Sequence, residues 1–247
     1  MPIALAFAVL IGASLALFGA GGSIVTMPVL VYVLGLDAHR AAGTSLVVVG
    51  LVALAGALLQ WRAANLRTGL VFGGAGMLGA LPGAWLNHHV PAGGVLAGFA
   101  VTALAAAARL LRGAARERAQ PLPDDSRRVV VIGVLVGTAT GFFGVGGGFL
   151  VVPALVLLVG LPIGRAVATS LVVVALNSAA GLVAHAAYGG VEWRLGGTMT
   201  LAALGGAAVA RPLAQRLTTR SLQRAFGGML AGMAVAMLVQ SVRELLA

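Results

Sequence analysis

Two glycine-rich runs carry the residue pattern best suited to chemistry, FGAGGSIVTMPVL at 18–30 and FGVGGGFLVVPAL at 143–155. Each reads as a turn followed by a short helix, and a helix N-terminus presents unpaired backbone N–H groups and the positive end of its dipole. Such a turn cradles an anion without a buried cation, and glycine lets the ligand reach the backbone. Gly21, Gly22 and Ser23 in the first run and Gly146, Gly147 and Gly148 in the second are the leading substrate-binding candidates. The competing role for each is packing, because small residues also let membrane helices approach closely.

Thr44-Ser45 and Thr169-Ser170 form a second candidate set, each pair near the start of a long apolar stretch. Arg40 precedes Thr44 by four residues and Arg165 precedes Thr169 by four, so on a helix each Arg shares a face with hydroxyls one turn deeper. The arginines would attract an anion and the hydroxyls bind it. Alternatively the hydroxyls bond across helices or to their own backbone, and the arginines anchor the ends at the interface. Where the runs differ, Val52 and Gln60 face Asn177 and His185. Asn177, near the middle of its stretch, is a further substrate-binding candidate, and His185 is the candidate proton relay, against the commoner role of packing.

The six carboxylates, Asp37, Glu117, Asp124, Asp125, Glu192 and Glu244, all fall at or beyond segment ends, so a buried acidic relay is not expected. There is no P-loop, no His/Asp/Glu cluster at metal-ligand spacing and no nucleophile beside a base, so neither an enzyme, a cofactor nor a resident metal is expected. With no Cys, disulfides and thiolate chemistry are excluded. The net charge of +10 comes from 16 arginines scattered between apolar segments, which suits topology determinants better than a nucleic-acid surface.

The elements that must position these residues follow from composition. Of 247 residues 60% are hydrophobic and only 9% charged, with mean hydropathy +1.05, so the solvent for most of the chain is lipid. Apolar stretches fall near 2–18, 24–36, 41–61, 68–87, 93–111, 129–143, 149–161, 166–188, 195–213 and 222–242. Laying 12–56 over 137–181 at an offset of 125 gives 21 identities in 45 positions without a gap, which marks a duplication. The second and seventh stretches are too short to cross a core of about 30 Å and read as half-length arms of re-entrant hairpins. An odd number of crossings per half inverts the halves and puts 13 arginines on one side and 3 on the other; parallel halves give 10 and 6. The charge rule favours inversion, with both termini outside and a cytoplasmic linker. The expected fold is an all-α polytopic membrane protein of two inverted repeats, 1–111 and 129–247, joined by 112–128, with eight to ten membrane segments depending on how the short arms are counted.

The run GFFGVGGGFLVVPALVLLVGLPIGRAVATSLVVVALNSAAG at 141–181, echoed by 18–56, resembles the signature of the sulfite exporter TauE/SafE family, also called the toluene-sulfonate uptake permeases. The resemblance covers essentially the full chain. It implies a multi-pass transporter of the bacterial inner membrane that carries small, often sulfur-containing anions such as sulfite or organosulfonates. The first motif copy is Phe18, Gly19, Gly21, Gly22, Pro28, Thr44 and Ser45; the second is Phe143, Gly144, Gly146, Gly147, Gly148, Pro153, Thr169 and Ser170. Ser23 stands in place of a third Gly and Ala168 in place of the Gly before Thr169, both of which bear on pocket width. The expected activity is alternating-access transport. A non-transporting membrane scaffold and a cation or metal permease are the alternatives. The expected partners are a small anion, the bilayer and a second copy of the chain, with no nucleic acid.

Overall fold

A computed structural model describes residues 2–19, 26, 29–87, 89–90, 92–112, 126–143, 148–187 and 191–246. These residues are all-helical: α1 (Pro2–Phe18), a π-helical turn (Val29–Val33), α2 (Ala38–Leu59), α3 (Leu66–Asn87), α4 (Ala92–Leu111), α5 (Ser126–Phe143), α6 (Gly148–Leu157), α7 (Ile163–Ala187), α8 (Trp193–Arg216) and α9 (Thr219–Leu246). Three of the helix starts are fixed by side-chain caps. Asp37, Asn65 and Thr218 accept backbone N–H bonds from Arg40, Thr68 and Ser221 as N-caps. Helix α5 already begins at Ser126, inside the stretch read from the sequence as linker.

The duplication is visible in the backbone. After the π turn and after α6 the chain reverses through Gly35 and Gly160, 125 residues apart, at φ +67° and +83°, a region that glycine enters without a Cβ penalty. The flanking bonds repeat as well. Leu36 N–H reaches the Leu30 carbonyl and Leu161 N–H the Leu155 carbonyl, at 3.1 and 2.9 Å. Helix α6 is only 10 residues long, about 15 Å at 1.5 Å per residue, which is half a membrane core.

Helix packing follows the same exchange. Helix α1 lies on α8 as α5 lies on α3, α2 lies on α8 as α7 lies on α3, and α4 pairs with its own counterpart α9. Small residues set these interfaces. A Cβ on Gly137 would overlap the backbone of Gly76, one on Gly79 the carbonyl of Val134, and one on Gly206 the carbonyl of Val9, which is the equivalent contact in the other pair. Lipid gives helices no hydrophobic reason to associate, so backbone approach of this kind supplies the dispersion contact.

At the centre α2 and α7 meet. Gly50 faces Ser178, Gly56 faces Leu171 and Gly181 faces Leu46, so these two equivalent helices run antiparallel. They also contain the two spans, Arg40–Leu59 and Ile163–Val183, that are long and apolar enough to cross a membrane by length and composition among the described residues. The bundle's exterior is apolar: Leu78, Leu81, Val183, Leu201 and Val209 are each over 70% exposed, more than a water-facing surface tolerates.

The α3–α5 contact yields a direct expectation. Gly137→Leu should destabilise the fold by about 1–3 kcal/mol or more, because rigid backbone blocks the new side chain. Gly228→Leu, where nothing lies within 4 Å, should be neutral. Thermal unfolding and size-exclusion profiles of the two variants in detergent check the contrast.

Candidate functional site

The two Thr-Ser pairs sit nearly two turns into α2 and α7, and each threonine reaches into the other half of the chain. Thr169 Oγ1 accepts the Asn65 backbone N–H at 2.9 Å, and Thr44 Oγ1 accepts the Glu192 backbone N–H at 3.1 Å. Both threonines are fully buried. Asn65 and Glu192 immediately precede α3 and α8, and their carbonyls accept the N–H groups of Gly69 and Gly196, each at 2.8 Å. Each threonine therefore latches the first turn of a helix belonging to the opposite half. Gly69 and Gly196 leave room for this, since a Cβ there would press on the valine and threonine of the latch.

The serines do something different. Ser45 Oγ donates to the Ala42 carbonyl at 2.8 Å and Ser170 Oγ to the Val167 carbonyl at 2.7 Å, bonds within their own helices. Ser170 also meets the end of α1. Gly19, at φ +61°, lies so close that a Cβ would overlap Ser170 Oγ and stand 2.7 Å from the Val167 carbonyl oxygen. Ser170 is seven residues, roughly 10 Å, inside α7, so Gly19 and the end of α1 lie within the bundle.

Arg40 is engaged by carboxylates, 2.7 Å from Glu192 and 3.4 Å from Asp37. The exposed setting limits the value of these pairs to about 1 kcal/mol or less each. Its counterpart Arg165 is exposed and has Pro162 and Asn65 at the equivalent positions, so the two helix starts differ in charge. Gly148 is buried and opens α6. His185 lies in α7. Gly21, Gly22, Ser23, Gly146 and Gly147 lie outside the described residues. No group of three metal-ligating side chains occurs among the described residues.

Among the described residues three buried side-chain polar atoms have no hydrogen-bond partner: Thr26 Oγ1, Asn177 Oδ1 and Arg211 Nε. Asn177 was legible in the sequence; Thr26 and Arg211 were not singled out. All three stand opposite apolar residues of the other half, Val151, Val52 and, at an offset of 127, Ala84. That comparison of the duplicated halves is the signal that would have found them. Arg211 lines a cavity of about 170 Å³ bounded by α1, α2, α7 and α8.

The latches make a testable pair. Thr169→Val and Thr44→Val should each lower stability by about 1–3 kcal/mol, by stranding a buried N–H, while the Ser variants should retain most of it. The latches stand at opposite ends of the antiparallel pair, so the double Val variant should be additive in thermal unfolding.

The profile of the family described as "Sulfite exporter TauE/SafE" matches residues 4–237. A protein of Xylella fastidiosa strain Temecula1 named "Probable membrane transporter protein" is 31% identical over 96% of this chain and 95% of its own. "Probable membrane transporter protein YunE" of Bacillus subtilis is 29% identical over 72% of this chain and 75% of its own. A Methanocaldococcus jannaschii protein, "Probable membrane transporter protein MJ0441", is 24% identical over 75% and 72%. No solved structure matches. With the profile spanning nearly the whole chain and the doubled glycine-rich, Pro and Thr-Ser pattern in place, the chain belongs to the sulfite exporter TauE/SafE family of membrane transporters.

Proposed function

We propose that this protein is a multi-pass permease of the bacterial inner membrane that moves a small, sulfur-containing anion by alternating access between two inverted repeats. The observation that carries the reading is the pair of buried, unpartnered oxygens, Thr26 Oγ1 between α1 and the π-helical turn and Asn177 Oδ1 midway along α7. A buried polar atom without a partner costs about 1–3 kcal/mol, so a membrane scaffold gains nothing by keeping two. A permeation path keeps such atoms for its solute and for the water that enters with it.

The antiparallel crossing of α2 and α7 supports inversion, because a twofold that relates antiparallel helices lies across them and not along them. The position of Gly19 against Ser170, well inside α7, supports a re-entrant turn. Ser23 and Gly148, with Gly21, Gly22, Gly146 and Gly147, then present backbone N–H groups to the anion. Membership of a family described as sulfite exporters supports sulfite as the first substrate to test. Positive charge on the Arg-rich end supports its assignment to the cytoplasm.

The test is efflux of preloaded radiolabelled sulfite from proteoliposomes. Wild-type protein should exceed empty vesicles. Thr26→Val and Asn177→Leu should lower the rate at least about tenfold while raising the thermal midpoint, since each removes an unsatisfied polar atom. Full-rate efflux in both variants would remove these residues from the path. Wild-type efflux equal to that of empty vesicles would contradict sulfite as substrate.

A further inference from the structure

We propose that Arg211 is the anion-selecting residue of the path, holding the permeant anion in the cavity bounded by α1, α2, α7 and α8; this rests on the permease reading above. Along α2 the cavity extends from Val52, at the middle of the bundle, to Gln60 at the Arg-rich end, eight residues or about 12 Å of helix. Its inner end is formed by Leu15 and Ala16, which lead into Gly19, and by Leu171, which follows Ser170. The cavity therefore joins the Arg-rich end of the bundle to the end of α1, where Gly19 meets α7. Its volume of about 170 Å³ suits a small oxyanion with part of its hydration shell.

The walls are otherwise apolar, with Gln60 and Arg211 as the polar side chains of the lining. Arg211 is held in place from one side only. One Nη donates to the carbonyl of Leu59, the last residue of α2, at 3.1 Å, which satisfies a carbonyl that no further helical turn can reach. Nε is buried and has no partner. A guanidinium fixed by one N–H and left with a second, buried N–H unsatisfied, beside an otherwise apolar cavity, is a preorganised donor for an oxyanion. A cap for α2 alone does not account for the orphaned Nε, and a flexible Lys or a neutral Gln would cap Leu59 equally well. The other half has Ala84 at the equivalent place, so this selection acts at one end of the path.

The full chain is reconstituted and sulfite transport measured for wild type, Arg211→Gln, Arg211→Lys and Ala207→Phe, with thermal midpoints in detergent recorded with and without sulfite. Arg211→Gln, which keeps a donor for Leu59 but loses the charge, should raise KM about tenfold with a much smaller change in kcat. Arg211→Lys should recover most of that loss, and Ala207→Phe, which fills the cavity with Arg211 intact, should stop transport. Sulfite should raise the midpoint of wild type and not of Arg211→Gln. An unchanged KM in Arg211→Gln overturns the proposal. So does an Arg211-dependent midpoint shift produced by phosphatidylglycerol and not by sulfite, which would make the cavity a lipid headgroup site. If wild type moves no sulfite, the substrate reading fails separately, and midpoint shifts with sulfate and benzenesulfonate decide Arg211: no shift larger in wild type than in Arg211→Gln overturns it.

Discussion

The antiparallel contact of α2 with α7 is the interaction on which the remaining structure depends. These are equivalent helices of a duplicated sequence, and their crossing fixes how every other element of one half meets the other. Because α2 and α7 run in opposite directions, the threonine at the start of each arrives beside the first turn of a helix from the opposite half: Thr44 at α8 and Thr169 at α3. The same crossing sets the end of α1, at Gly19, against Ser170 inside α7. Neither half completes its own helix starts. Each supplies the buried acceptor that the other needs, which in a medium without water is a strong constraint on assembly.

Around that contact the structure separates two uses of small residues. At α3–α5 and α1–α8 glycine removes side-chain volume so that backbones touch, and the paired positions Gly79 with Val134 and Gly206 with Val9 show the same solution twice. At Gly35, Gly160 and Gly19 it permits a left-handed backbone that ends an arm. Polarity is distributed less evenly. The buried hydroxyls that secure the fold recur in both halves, whereas Thr26, Asn177 and Arg211, each with one buried atom left unpartnered, correspond to Val151, Val52 and Ala84. Structure is symmetric and unsatisfied polarity is not, which is the division expected if the fold came from duplication and a path was then specialised within it.

The helical class, the duplication and the shortness of α6 were legible in the sequence because they are local or periodic: apolar run lengths, a constant offset and a glycine recurring at 35 and 160. The continuation of the repeat beyond Gly56 was harder to see because the offset moves from 125 to 127; at the new offset Gly69 matches Gly196, Gly79 matches Gly206, and Phe99 matches Phe226, with both phenylalanines buried. The roles of the Thr-Ser pairs were only half legible. Their helix-start position was, but the latch partners lie 104 and 148 residues away in sequence, and nothing in the local pattern marks Asn65 or Glu192 as donors. Arg211 was hidden for a different reason. As one of 16 arginines it carried topological information, and only packing distinguishes a guanidinium facing a chamber from one facing a headgroup.

The central claim, that the halves face the membrane in opposite senses, is tested most directly by the sidedness of two equivalent loops. The chain has no cysteine, so Ala63→Cys before α3 and Val191→Cys before α8 each introduce one unique thiol. Labelling with a membrane-impermeant maleimide is compared between intact spheroplasts and inside-out vesicles. Inverted repeats give Val191→Cys modified only in spheroplasts and Ala63→Cys only in inside-out vesicles. Modification of both from the same side would contradict inversion, and with it the alternating-access reading built on the α2–α7 crossing.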